Sequence, residues 1–419
     1  MGQKIVKKEV EKGLKYYSEQ QMEEAINEWL NALKRINKTN PDAEKFNLLG
    51  LLCTAYYDVG KYREVLLYSD QQFDIATVLN DSLMKAEANF NLARGNERLS
   101  EFNKTLLYGK RCLEYKKTTD IHKYVYLCLG NAYIGISDFP NAFKCFENAV
   151  GHDENNGVCE KQVEIIACVG LAHIYTLFKD YETATSHCER ALDLVRTGDE
   201  NINLLKYERW VQVELSIVNL KLYRFNYAME LCEDAMKTAM KYTDRYIQAR
   251  CLLTFAEIHR KRNDFERSYP RYESAFSIYN DIGDRMGQIE VLSGMSKAMI
   301  GIRDYSQALE LNERALALSQ KIGSKMNMLQ CRRRMAELNM FIDKSEVAQV
   351  HNGIVQALIN DLNLYCGICS EMLGEKPEQL DTIPCGHLIH TRCVPHLARY
   401  TWGRKGRKRP CPTCRRNSS

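Results

Sequence analysis

The chain has 419 residues, a formal net charge of +4, 45% hydrophobic and 27% charged residues. That length can bury a large core in two or three domains, and the balance is that of a soluble globular protein. The mild charge excludes bulk nucleic-acid binding, so no nucleic-acid partner is expected. No apolar run approaches the ~20 residues that span a bilayer, and no secretory apolar stretch opens the chain, so a cytosolic protein is expected.

The chain begins Met1-Gly2-Gln3-Lys4-Ile5-Val6-Lys7-Lys8. Gly2, exposed once the methionine is removed, is the acceptor position for myristoylation, although Val6 stands where that motif has Ser or Thr. Lys7 and Lys8 suit an anionic inner leaflet, and a basic cluster is the usual second signal beside one acyl chain. The plainer reading is an unmodified terminus. Residues 1–8 are set apart as this segment.

Residues 9–323 carry a recurring phrase, an aromatic or apolar residue followed by a small one, then a bulky one a turn later. It reads Met22-x2-Ala25-x3-Trp29, Phe139-x2-Ala142-x3-Phe146, Tyr181-x2-Ala184-x3-Cys188 and Tyr305-x2-Ala308-x3-Asn312. Weaker copies run through Tyr62-x2-Val65, Phe102-x2-Thr105 and Phe265-x2-Ser268. The small positions are 25, 65, 105, 142, 184, 228, 268 and 308, spaced by about 40 residues. A matching first helix precedes each phrase, as in Gly13-x2-Tyr16 and Gly130-x2-Tyr133. Small residues let two helices approach and the bulky residue fills the groove beside them, so the period predicts seven or eight stacked helical hairpins. The phrase resembles the tetratricopeptide repeat, without that family's usual trailing proline. Such a solenoid implies a concave binding face. The ten scattered cysteines, in a reducing compartment, read as small buried hydrophobes.

From 324 to 363 the phrase stops while apolar residues continue at helical spacing. Val347, Val350, Ile354, Leu358 and Leu362 make one stripe. This connector reads either as a hairpin that closes the solenoid or as a short coiled coil that pairs with a partner helix.

Residues 364–416 hold Cys366-x2-Cys369, Cys385-x-His387, His390-x2-Cys393 and Cys411-x2-Cys414. Eight such ligands can hold two tetrahedral Zn2+ ions, and each short spacing brings two ligands to one ion. Spacing alone leaves interleaved and sequential pairing open. The order resembles a RING finger of the H2 type, which implies that Cys366, Cys369, His390 and Cys393 share one zinc, and Cys385, His387, Cys411 and Cys414 the other. It also implies contacts to a ubiquitin-type conjugating enzyme at Ile368, Pro412, Arg415 and, in a lengthened loop, Trp402. A RING of this kind has no nucleophile of its own; it restrains the enzyme's thioester-linked modifier, so catalysis is by positioning. The alternative is a RING that only folds and docks. The basic loop 404–409 reads as a nuclear localisation signal or as a contact to an acidic partner or anionic membrane. Residues 417–419 form a tail.

This order of parts resembles the rapsyn family of synaptic receptor-associated proteins. The stretches Asn91–Glu97, Phe255–Arg260 and Leu364–Cys369 carry the likeness, and it covers nearly the whole chain. The departures are Val6 and the long basic loop. The resemblance implies a lipid-anchored scaffold on the cytoplasmic face of the postsynaptic membrane. Its solenoid would self-associate, its connector would bind cytoplasmic helices of nicotinic acetylcholine receptors, and its RING would reach cytoskeletal linkers. The second function it implies is a RING ligase that transfers ubiquitin or a similar modifier to solenoid-bound substrates.

Overall fold

The computed structural model describes residues 2–36, 42–115, 119–151, 160–197, 205–401 and 411–413. Eighteen helices fold as nine consecutive hairpins among them. The first five are α1 (Gly2–Ser18) with α2 (Met22–Arg35), α3 (Ala43–Asp58) with α4 (Tyr62–Val78), α5 (Ser82–Arg98) with α6 (Phe102–Leu113), α7 (Thr119–Ile136) with α8 (Phe139–Val150), and α9 (Lys161–Leu177) with α10 (Tyr181–Arg196). The remaining four are α11 (Leu205–Lys221) with α12 (Phe225–Lys241), α13 (Arg245–Lys261) with α14 (Phe265–Ile282), α15 (Arg285–Gly301) with α16 (Tyr305–Ile322), and α17 (Lys325–Phe341) with α18 (Ser345–Asp361).

Every small residue of the repeated phrase lies on the second helix of its hairpin. Ala25, Val65, Thr105, Ala142, Ala184, Ala228, Ser268 and Ala308 are each 0% exposed. The bulky residue a turn later plugs the first helix. Trp29 lies so close over Gly13 that any Cβ there would overlap the indole.

Each hairpin turns in the same way. One residue in the left-handed region ends the first helix, and the next N–H reaches back five residues, as from Glu101 to the Asn96 carbonyl at 2.9 Å. An aspartate then caps many of the following helices, as Asp264 does toward the N–H of Arg267.

Two boundaries differ from the sequence reading. The repeat does not stop at 323, because α17 and α18 form a ninth hairpin stacked on α16. Its small residue is Ala348, forty residues after Ala308 and buried. Ser345 replaces the aromatic that opens the phrase elsewhere, which is why the pattern fades there. The connector is therefore the closing hairpin, and Val347 and Val350 lie on its exposed side. At the other end, residue 8 falls inside α1, and Val6 is buried in the core that contains Trp29.

The superhelix closes on itself after five hairpins. Ser100, in the turn after α5, accepts from the N–H of Met286 at the start of α15 and donates to Asp284, both at 3.0 Å. Arg285 pairs with Glu101 beside them at 2.5 Å. Ser137, in the turn after α7, accepts from the N–H of Met326 at the start of α17 at 2.8 Å. Tyr62 and Leu99 accordingly share one apolar core with helices α13–α17. Inside the closed turn lies a cavity of 190 Å³ whose wall includes Arg98, Trp210, Glu214, Tyr246, Arg250 and Asp284.

Candidate metal centre and its platform

The chain leaves α18 through Leu364 and makes a knuckle. The N–H of Cys366 donates to the Glu371 carbonyl at 2.9 Å, and that of Leu373 to the Leu364 carbonyl at 2.8 Å. A second knuckle, Cys385-Gly386-His387, is closed by Gly386 donating to the Ile383 carbonyl at 2.7 Å. Between the knuckles a two-stranded antiparallel ribbon forms from β1 (Leu380–Thr382) and β2 (Leu388–His390), with Leu380 opposite His390. A short 3-10 turn, Thr391–Cys393, leads into α19 (Val394–Thr401).

This framework gathers Cys366, Cys369, His390 and Cys393, whose ligand atoms all lie within 4.8 Å of one another. Cys385, His387 and Cys411 gather in the same way. In each cluster a thiol faces a ring nitrogen at 3.3 Å, Cys369 toward His390 Nδ1 and Cys385 toward His387 Nδ1. Two ligands on one tetrahedral zinc stand about 3.5 Å apart, so the donor sets fit that ion. Cys366, His390 and Cys393 are almost fully buried, where thiolates need a cation. Burial raises the Cys366 thiol, but the backbone N–H groups of Cys369, His390 and Ile368 outweigh it and hold it below the ordinary value. The Cys393 thiol is pushed up to about 12, first by burial and then by the charge of neighbouring Cys366. A cation in the pocket would offset the burial that holds the proton on Cys393.

Of the remaining sequence candidates, Ile368 and Pro412 are half-buried. Gly367, the residue before Ile368, lies directly against Pro412 and Thr413. Cys414, Arg415, Trp402 and the loop 404–409 lie outside the described residues. Gly2 is the first residue of α1, and Lys7 and Lys8 on that helix are exposed.

The finger is docked on the solenoid, a feature without a sequence signal. Asp180, in the turn after α9, accepts from the N–H of Leu380 at 2.8 Å, and Lys179 donates to the Glu375 carbonyl at 2.7 Å. Tyr175 and Thr382 share a hydroxyl hydrogen bond of 2.9 Å. Leu364, Leu373, Leu380, Leu388 and Ile389 complete one apolar core with Phe139, Tyr175 and Phe178. Gly386, at φ +84°, presses on the Pro140 carbonyl so closely that a Cβ would overlap it. The finger thus occupies, against the fifth hairpin, the place that α15 and α17 occupy against the third and fourth.

Three family models match the chain. They are the rapsyn N-terminal myristoylation and linker region over residues 1–82, a tetratricopeptide repeat over 167–201, and a C3HC4-type RING zinc finger over 366–414. Among curated proteins, the 43 kDa receptor-associated protein of the synapse from Tetronarce californica is 33% identical over 100% of this chain and 98% of its own length. Its namesake from Gallus gallus is 37% identical, again over 100% of this chain and 98% of its own. The chain belongs to the rapsyn family. Its finger departs from the C3HC4 pattern at one ligand, since His390 gives the order three Cys, two His, three Cys. Among solved structures, a Rap protein complexed with competence and sporulation factor superposes at TM-score 0.58 with 13% identity, covering 85% of this chain and 98% of that one. The apo quorum sensor NprR from B. thuringiensis gives 0.50 at 14% identity, covering 85% and 99%. At that identity the likeness shows the tetratricopeptide solenoid fold alone. Among the described residues no helix is long and apolar enough to cross a membrane.

Proposed function

We propose that this chain is a peripheral-membrane scaffold that clusters nicotinic acetylcholine receptors at the postsynaptic membrane and ties them to the cytoskeleton. The observation that carries this reading is collinearity. Relatives named as receptor-associated proteins of the synapse match over 100% of the chain and 98% of their own length. A myristoyl group on Gly2, with Lys7 and Lys8 beside it, anchors the first hairpin to the inner leaflet, where a single acyl chain needs such a second signal. The solenoid offers a surface to receptor helices and to further copies of the chain. The finger binds two zinc ions, the first through Cys366, Cys369, His390 and Cys393, the second through Cys385, His387, Cys411 and Cys414. Zinc supplies the charge that lets these buried thiolates coexist.

The test is fractionation and imaging of muscle-type cells that express the receptor. Gly2→Ala moves the chain from membrane to soluble fraction and disperses receptor clusters. Unchanged membrane partition overturns the anchor, and unchanged clusters in its presence overturn the scaffold.

The packing of Gly367, the residue before Ile368, against Pro412 favours a second reading, a RING ligase whose solenoid selects substrates. Ile368→Ala and Arg415→Ala, with all eight ligands kept, stop modifier transfer in reactions with a panel of conjugating enzymes. If the intact chain transfers no modifier with any of them, this second reading fails.

A further inference from the structure

We propose that Glu378 is a positioning residue for the first zinc site, acting through the outer nitrogen of His390. This rests on the reading that Cys366, Cys369, His390 and Cys393 hold a zinc ion.

The ribbon register fixes the geometry. Leu380 stands opposite His390, and the N–H of Thr391 donates to the Gln379 carbonyl at 3.0 Å, so pairing extends one step beyond the strands. Beyond that bond the chain enters the 3-10 turn that carries Arg392, and Glu378 lies two residues before Leu380, alongside His390 and Arg392. The side chains follow that placement. Arg392 Nε donates to one Glu378 oxygen at 2.6 Å, while the other oxygen faces His390 Nε2 at 3.7 Å. Arg392 also reaches Glu371, whose carbonyl already closes the first knuckle. One arginine thus ties the carboxylate behind the histidine to the loop that presents Cys366 and Cys369.

The chemistry gives this arrangement a purpose. His390 turns Nδ1 toward Cys369 and the cluster. A metal on Nδ1 leaves the imidazole proton on Nε2, which then points at the Glu378 carboxylate. A carboxylate there selects that tautomer, fixes the ring plane and makes Nδ1 a stronger donor. The site needs this because its fifth ligand is histidine. A cysteine, as in the C3HC4 pattern, binds through one sulfur and has no second atom to orient.

Chelator competition on the purified full chain tests the proposal, with wild type, Glu378→Gln, His390→Cys and the double variant side by side. Glu378→Gln keeps the shape of the side chain and weakens one of the two zinc sites about 10- to 100-fold, the range usual for such outer partners. In the His390→Cys background the same change leaves zinc affinity within about 2-fold, since the thiolate has no Nε2 proton. Wild-type affinity in Glu378→Gln overturns the proposal. An equal loss in both backgrounds also overturns it, because Glu378 then acts through the fold and not through His390. A wild-type chain that holds no zinc overturns the metal reading beneath and the positioning role with it.

Discussion

The solenoid and the finger are held together in different ways, and the contrast explains how one chain can be both frame and head. In the solenoid the same hairpin packing repeats nine times, and successive hairpins share their apolar cores. Such an array draws its stability from many similar units, here joined also by the contacts of the third and fourth hairpins with the eighth and ninth. The finger's two strands are three residues each, and its buried apolar residues lie in a core shared with α8, α9 and α10. A unit that small cannot stabilise itself by burial and needs metal, a partner surface, or both.

The largest break in this contrast comes from the ligands. Cys366→Ser or Cys385→Ser removes a zinc, whose binding is worth on the order of 10 kcal/mol to a structural finger. Urea denaturation followed by circular dichroism then keeps the main helical transition at its midpoint, while limited proteolysis cuts between residues 364 and 393. Loss of the main transition would show the solenoid to depend on the head.

A smaller break separates docking from metal. Gly386→Ala adds a Cβ at a left-handed position and pushes it into the Pro140 carbonyl. We expect about 3 kcal/mol of lost docking, from strain plus overpacking. Zinc content stays unchanged while the Tyr175–Thr382 and Asp180–Leu380 contacts open, and crosslinks between residue 179 and residue 376 disappear.

The smallest effect sharpens the solenoid side. Burial, with Glu290 nearby, raises the Asp284 carboxyl from 3.8 to about 6 despite its bonds to Gly287 and Ser100. The folded chain therefore holds that proton more tightly than the unfolded one. The stability this gives is fully present below about pH 4 and is lost as pH rises through about 6. Asp284→Asn keeps an oxygen for the cap and removes the charge. It should stabilise the chain by on the order of 2 kcal/mol at pH 8, with the gain vanishing near pH 4, read from urea midpoints across that range. A gain independent of pH would contradict the burial account.

Much of this was legible in the residues. The forty-residue period placed all eight small positions at buried sites on second helices, because close helix packing admits little else. The ligand spacings marked the finger for an equally direct reason. The ninth hairpin was missed because Ser345 hides the phrase although Ala348 keeps its place. Docking was missed because Asp180 already has a local role, capping α10 at the N–H of Thr183, and its second oxygen gives no sign of reaching Leu380. Superhelix closure did leave a trace. The left-handed turn residue is Gly60, Ser100 and Ser137 where a later hairpin packs on it, and Tyr223, Asn263 and Arg303 in the later hairpins themselves. Glu378 sits in an irregular stretch where neither period nor spacing speaks, and only its folded contacts with His390 and Arg392 reveal it.

Hydrogen exchange on the full chain, with zinc and after chelation, tests most directly the claim that a metal-held head rides on a metal-independent frame. The account predicts that amides from 364 to 393 lose protection on chelation, that the turn at 178–180 loosens with them, and that helices α11–α16 keep theirs. Protection lost throughout the solenoid, or a head that stays protected without metal, would contradict it.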